Sequence, residues 1–345
     1  MQPASSLDIE DPVALIEYLR TRGVVGADDQ PSIEILKGGV SNRVVRVLKP
    51  TGEAWVIKQA LPKLRVAVDW YASPDRIHRE ALGLRWLKAL GLAVPELRFE
   101  DPDHHLLAMD AVPEPHVNWK SDLLGGRVDL VYVQSFSEML VVMHVDSFNR
   151  RAELQPIFKD ASYFESLRIE PYYAYTAKQV PAASTLIDRV IDATRANPLC
   201  LVHGDYSPKN VLIHDGALIL LDHEVAHWGD PAFDLGFSMT HLLSKANHME
   251  AKRVEFQHAA MTFWDTYRTG VAHQPWVDAL ELRAVESTIA CLLARVAGRS
   301  QLEYLTAAER SRQLAAAIQL MATPPDTMRK LIRRFIGSLS THEAS

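Results

Sequence analysis

The sequence predicts an α+β fold: a small antiparallel sheet with one long helix, then a larger and mainly helical part. Three observations predict it. Short β-rich runs bounded by turn residues fill residues 1–109. A single long helical pattern, bounded by Ser73-Pro74 and Gly91, interrupts them. Beyond residue 115 the apolar spacing is helical, broken by one tight hairpin signal at Asp215-Gly216.

The elements follow in order. Val13, Ile16 and Leu19 recur at helical spacing between Asp11 and Gly23. Ser32 to Leu36, Val44 to Leu48 and Ala54 to Ala60 read as strands, separated by the turns Gly38-Gly39 and Pro50-Thr51-Gly52. The long helix is expected from Pro74 to Leu90, capped by Ser73. Val94 to Met109 is expected to be extended, turning at Asp101-Pro102-Asp103. Asp110 to Pro115 holds two prolines and reads as a connector. Val211 to Ile213 and Leu218 to Leu221 form the hairpin, and helices resume near Asp234. The division is therefore 1–109 for the first lobe, 110–115 for the hinge and 116–345 for the second lobe.

The 345 residues are enough for two lobes with their own cores. A net charge of −6 argues against a nucleic-acid partner, which would call for a basic face. Cys200 and Cys291 both sit in apolar runs, so they read as core residues of a reducing, cytoplasmic protein. The acidic start MQPASSLDIEDP does not read as a signal peptide, and no apolar run is long enough to span a bilayer, so no membrane partner is expected.

Chemistry begins at Lys58. Strand alternation places it on one face with Ala54, Val56 and Ala60, where an ammonium is costly without an anion. Glu80 lies on the apolar stripe of the long helix with Ile77, Leu84 and Leu87 and supplies a candidate partner. A strand lysine and a helix glutamate at this separation can orient a nucleotide's phosphates. Gly38-Gly39-Val40-Ser41-Asn42, just before that strand, would let backbone N–H groups approach phosphate oxygens, although an ordinary turn has the same composition.

The strongest signal is His203-Gly204-Asp205-Tyr206-Ser207-Pro208-Lys209-Asn210, followed by the hairpin and then Asp222. Pairing across the tight turn returns the chain, so Asn210 and Asp222 can converge beside Asp205. One aspartate can take a hydroxyl proton, while the amide and the second aspartate offer hard oxygen ligands to Mg2+.

This pattern, with Leu-Asp222-His223-Glu224 and Gly229-Asp230-Pro231-Ala232-Phe233-Asp234, resembles the aminoglycoside phosphotransferase, choline kinase and methylthioribose kinase superfamily. The resemblance implies a two-lobed protein-kinase-like fold and transfer of the ATP γ-phosphoryl to a hydroxyl of a small molecule. It implies Asp205 as catalytic base, Asn210 and Asp222 as Mg2+ ligands and Glu224 as a second acid near the metal. Lys58 and Glu80 match the nucleotide-orienting pair, and the stretch from Met109 through Ala111 to Pro113 matches the hinge that reads adenine. His203 and Asp234 match residues that support the catalytic loop. Gly204 stands where protein kinases have arginine, and Asp-Phe-Gly and Ala-Pro-Glu segments are missing, which argues against a protein substrate. GTP in place of ATP stays open, as does monomer or homodimer.

Two alternatives compete. A nucleotide-binding regulatory pseudokinase is disfavoured because no catalytic position is missing. His223-Glu224-Val225-Ala226-His227 spells H-E-x-x-H, the zinc hydrolase motif. That motif needs a helix of several turns, whereas a strand precedes this one and Gly229-Asp230-Pro231 follows it. Candidates for the acceptor pocket are His227, Trp228, the cluster around Tyr173, and the pair Arg295 and Arg299. The tyrosines also suit a core, and the arginines also suit a helix C-terminus. If both arginines faced the cleft, they would favour an anionic or polyhydroxyl acceptor.

Overall fold

The computed structural model describes residues 7–36, 39–66 and 69–341. Gly38, expected in the phosphate-facing turn, lies outside the described residues. Helix α1 (Pro12–Thr21) leads into β1 (Ser32–Ile35), β2 (Asn42–Leu48) and β3 (Ala54–Ala60). Helix α2 (Arg76–Ala89), β4 (Leu97–Asp101) and β5 (Leu106–Asp110) complete an antiparallel sheet of order β1-β2-β3-β5-β4.

Strand alternation gives this sheet two apolar faces. Trp55 and Ile57 of β3 pack with Leu15 and Leu19 of α1. Ala60 and the partly buried Val56 pack with Ile77, Ala81 and Leu84 of α2. Lys58 falls on this second face, so its ammonium is directed at α2. The start of α2 differs from the expectation. The Ser73 hydroxyl accepts from the Asp75 N–H at 3.3 Å, which forms a local turn instead of a cap, and the helix begins at Arg76. Gly91, with φ +85, ends it as expected.

The second lobe is helical around a second sheet system. Strand β6 (His116–Asn118) and helices α3 (Trp119–Leu124), α4 (Leu130–Asn149) and α5 (Arg151–Phe158) come first. Next are α6 (Ser162–Phe164), a π-helical segment (Glu165–Ala174), α7 (Tyr175–Gln179) and α8 (Ser184–Ala196). Strand β7 (Cys200–Val202) leads to the hairpin β8 (Val211–His214) and β9 (Ala217–Leu220), and then to β10 (His227–Gly229). Helices α9 (Pro231–His248), α10 (Arg253–Gly270), α11 (Leu280–Ala297), α12 (Ala307–Ala322) and α13 (Met328–Thr341) finish the chain. Among the described residues no helix is long and apolar enough to cross a membrane.

Two features aim the site residues. Asp215 and Gly216 both have positive φ (47° and 75°), the conformation of a two-residue hairpin turn. The register Val211↔Leu220, closed by the Leu221 N–H on the Asn210 carbonyl at 2.9 Å, then sets Asp222 beside Asn210. Strand β7 pairs antiparallel with β10, with His227 opposite Val202, so the chain bends at residues 223–226 and continues as a strand. His223 and His227 therefore do not lie on one helix face, and the H-E-x-x-H reading loses the geometry it needs.

Helix α2 sits directly on this bend. A Cβ added at Gly83 would lie 2.4 Å from the His223 Cβ. Gly83→Ala should cost about 1–3 kcal/mol by forcing α2 off the bend. Gly337→Ala, on the open face of α13 with nothing within 4 Å, should instead gain about 0.5–1 kcal/mol. Urea midpoints of the two variants check the contrast, and equal midpoints would contradict the packing described.

Candidate active site

The loop after β7 is held by a carboxylate from the first turn of α9. Asp234 accepts the N–H of His203 at 2.7 Å and that of Gly204 at 2.9 Å, and His144 Nε2 lies 3.4 Å from it. All four residues except Gly204 are fully buried side chains, and the ring of His144 also meets the Tyr267 hydroxyl at 2.8 Å. Gly204 has φ +77, and a Cβ there would lie 2.9 Å from Val225 Cγ2 and 3.0 Å from the Val225 carbonyl. An arginine at this position is thus excluded both by backbone conformation and by space. His203 accepts the Asp205 N–H at Nδ1 (3.2 Å) and reaches the Leu221 carbonyl through Nε2 (3.2 Å), tying the loop to the end of the hairpin. Burial lowers its pKa, so the ring is neutral.

Asp205 is buried, and its contacts are one-sided. Asn210 Nδ2 donates to Oδ2 at 2.8 Å, Lys209 Nζ approaches Oδ2 at 3.2 Å and Arg168 Nη2 at 3.1 Å. Burial alone would raise the carboxyl's pKa; Arg168 and Lys209 outweigh it and hold the group below the usual carboxylate range. Arg168 also donates to the Gly204 carbonyl at 2.8 Å. It comes from the π-helical segment, a contact with no motif in the sequence.

Across the site, Lys58 Nζ lies 2.5 Å from Glu80 Oε1 and 3.2 Å from Asp222 Oδ1. Burial opposes the charge on Lys58, but Glu80 and Asp222 more than compensate and keep it protonated. Burial pushes the Glu80 carboxyl up against the pull of Lys58. Asp222 goes the other way, because Lys58 and Lys209 overcome its own desolvation. Asp222 has φ +67, a strained conformation for a residue with a side chain.

Glu224 is tied to the first lobe. Its Oε2 accepts from Asn42 Nδ2 at 3.0 Å and from Arg76 Nε at 3.1 Å. Arg76 is fully buried and also donates to the Leu61 carbonyl at 3.0 Å and to the Ser41 carbonyl. The turn before β2, α2 and the bend after β9 are thus fastened by one guanidinium. Gly39 has only ordinary contact with the Asn42 carbonyl, 3.8 Å from an ideal Cβ. Sequence reasoning missed Arg76, although its i, i+4 spacing with Glu80 on the inward stripe marks it.

The oxygen ligands for a hard cation are at hand. Glu80, Asp222 and Glu224 each offer an oxygen within 4.8 Å of the others. Asn210 spends its Nδ2 on the Asp205 carboxylate and the Asp205 carbonyl (3.0 Å), which leaves its Oδ1 for another partner. This donor set suits Mg2+.

Several expected residues lie elsewhere. Tyr173 is fully buried, with its hydroxyl 3.2 Å from Ser287 Oγ and 3.1 Å from Cys291 Sγ, so it is a core residue. Trp228 lies in β10 and donates to the Pro198 carbonyl at 3.0 Å. His227 stacks on Phe164 at 4.0 Å, and burial pushes its pKa down to about 4. Arg299 pairs with Glu170 at 3.1 Å, so its charge is answered within the chain. Met109 is buried in β5, and the Ala111 N–H donates to the Ala54 carbonyl at 3.0 Å, so that N–H is not free to read a base. Arg295 differs from these: it is buried and donates to the Tyr172 hydroxyl at 3.0 Å, whose ring Arg168 approaches at 5.6 Å, so it stays linked to the Asp205 loop.

Residues 32–273 match the model of the family described as APH, the phosphotransferase enzyme family, and the chain belongs to that family. Among curated relatives, the methylthioribose kinase of Citrobacter koseri is 24% identical over 258 residues, covering 66% of this chain and 64% of the relative. That of Erwinia tasmaniensis is 26% identical over 265 residues, covering 66% and 64%. The chain thus spans just under two thirds of the length of the relatives it matches. Among solved structures, an amicoumacin kinase bound to AMP-PNP and Ca2+ superposes with a TM-score of 0.58 at 18% identity, covering 91% of this chain and 96% of the other. The Plasmodium vivax ethanolamine kinase gives 0.57 at 13%, covering 97% and 88%. At these identities the superpositions establish the two-lobed, protein-kinase-like fold.

Arg76→Met should leave Glu224 buried without its cation and cost about 3–5 kcal/mol of stability. Urea unfolding measures it, and a loss within error of zero would show that the fastening is not made.

Proposed function

We propose that this chain is an ATP-dependent kinase that phosphorylates a hydroxyl of a small molecule, with Asp205 as general base. The observation that carries this reading is the convergence of Asp205, Asn210 and Asp222 on one side of the Lys58–Glu80 pair. The family supports the class of chemistry, and the methylthioribose kinases it resembles act on one such hydroxyl compound.

The residues would divide the work as follows. Lys58, held as an ammonium between Glu80 and Asp222, presents positive charge to the nucleotide phosphates. Asn210 Oδ1 and Asp222 would hold Mg2+, which when bound neutralises charge on the phosphates. Asp205 takes all its described contacts on Oδ2, leaving Oδ1 to receive the acceptor's hydroxyl proton. The acceptor oxygen forms the new bond to the γ-phosphorus as the bond to ADP breaks. Arg168 and Lys209 keep Asp205 ionised and ready to accept that proton. The lobes stay in register through Arg76, Asn42 and Glu224.

The domain division at 110–115 fits this reading. The hinge follows β5, and because the Ala111 N–H is already bonded, the N–H that reads adenine would be that of Val112, since Pro113 has only a carbonyl to offer. Nucleotide choice between ATP and GTP rests on the same backbone.

Asp205→Asn should lower Mg2+-dependent ADP release by about 10²–10⁴-fold while nucleotide affinity is kept. An ADP-coupled assay with a fluorescent-nucleotide titration checks both, and undiminished turnover would refute the mechanism. Arg168→Met removes the main charge that depresses Asp205, so the base should titrate higher. The acid limb of the pH–rate profile should then move upward by about one pH unit or more. An acid limb that stays in place would show that Asp205 is not the group titrating.

A further inference from the structure

Helix α9 carries a buried cation that the phosphoryl-transfer residues do not use. Lys245 is fully buried, and its ammonium donates only to the His241 carbonyl of its own helix, at 3.2 Å. Among the described residues no carboxylate bonds it. A buried ammonium in a stable protein normally has an anion beside it.

The surroundings add cations and unsatisfied donors, while Glu303, an acid whose charge reaches Lys245, is bonded to Lys120. Lys245 Nζ stands 5.5 Å from the centre of the Tyr304 ring, and Lys120 approaches the same ring at 5.9 Å. Lys120 is paired with Glu303, whose side chain is largely exposed. One turn before Lys245, the buried His241 has no partner at Nε2. The Tyr304 hydroxyl and Arg295 Nε are likewise buried and unpartnered. Burial, and after it the charge of Lys120, push the Lys245 ammonium down to about 7 against the pull of Glu303.

This cluster is connected to the base. Arg295 donates to the Tyr172 hydroxyl at 3.0 Å, and Arg168, which pairs with Asp205, lies 5.6 Å from the Tyr172 ring. Burial works against ionisation of that hydroxyl, but Arg295 and Arg168 outweigh it, with Asp205 close enough to act on the same group. The charge of Lys209, which with Arg168 pairs with Asp205, also acts on His241.

We propose that the acceptor is an anionic alcohol, whose carboxylate or phosphate is bound by Lys245, His241, Arg295 and Tyr304 while its hydroxyl faces Asp205. This deepens the kinase reading and rests on it. It also separates this chain from a kinase for cationic acceptors, since five cationic side chains (Lys120, Arg168, Lys209, Lys245 and Arg295) touch Asp205, Tyr172 or Tyr304. The reaction balances as an ordinary transfer: the hydroxyl oxygen bonds the γ-phosphorus, ADP leaves, and the hydroxyl proton goes to Asp205.

The test has two arms. In the first, inorganic phosphate is titrated into the MgADP-saturated chain and the thermal midpoint is followed. Phosphate should raise the midpoint of the natural chain, but not that of Lys245→Met or His241→Leu. Lys245→Met without phosphate should melt no lower than the natural chain, because it removes a buried charge that lacks an anion. In the second arm, ADP release is compared for glycerate against glycerol and for ribose 5-phosphate against ribose, which separates a carboxylate from a phosphate preference. The anionic member of a pair should win by about tenfold or more in kcat/KM, the worth of one charge-assisted hydrogen bond. A midpoint that phosphate leaves unmoved in the natural chain, or moves equally in both variants, overturns the proposal. So does turnover that favours glycerol, ribose or choline over the anionic alcohols. Mg2+-dependent ATP hydrolysis that Asp205→Asn abolishes keeps the kinase reading standing in that event; hydrolysis unaffected by that substitution sinks the kinase reading itself.

Discussion

The site depends on one shared cation. Lys58 stands between Glu80 of α2 and Asp222 at the end of the second-lobe hairpin, so a single ammonium couples the sheet, the helix above it and the acid proposed to hold the metal. Three carboxylates crowd this space, counting Glu224, and like charges at such range repel unless cations lie between them. Lys58 and Arg76 are those cations. Each stands where it must because of ordinary folding rules: Lys58 by strand alternation in β3, Arg76 and Glu80 by one turn of α2. The glycine at residue 83 lets that helix come close enough for the contacts to form.

The loop after β7 is built on the opposite principle, backbone instead of charge. Asp234 spends its carboxylate on two amide N–H groups, and His203 spends both ring nitrogens on the loop and the hairpin end. These bonds fix where Asp205 points, while Arg168 and Lys209 fix its charge state. The strained backbone at Asp222 and the unpartnered polar atoms around Lys245 are stability given up at the places where ligands are proposed to bind.

Much of this was legible in the sequence because it is local. The order Asp205, Asn210, hairpin, Asp222 encodes its own convergence, since a two-residue turn leaves little freedom in where the returning strand ends. Lys58 and Glu80 were legible because each is a charge on an apolar face. Arg76 and Arg168 were not, because their partners are far along the chain and no short-range rule links a π-helical arginine to a loop aspartate. Tyr173, His227 and Trp228 were expected at the acceptor because aromatic residues near a catalytic loop look alike whether they line a pocket or fill a core. Only packing against Cys291, Phe164 and Pro198 tells them apart. Arg295 and Arg299 were both expected there, and Glu170 answers the charge of Arg299 within the chain. The start of α2 was misplaced because Ser73 can serve a turn as well as a cap.

The central claim is that one metal–nucleotide complex is held by side chains from the loop and the hairpin end, facing Lys58. Crystals grown with Mn2+ and AMP-PNP test it most directly through the anomalous signal of the metal. A peak is expected at coordination distance from oxygens of both Asn210 and Asp222, with Lys58 turned toward the nucleotide phosphates. A peak held by other side chains, or a nucleotide bound away from Lys58, would contradict it.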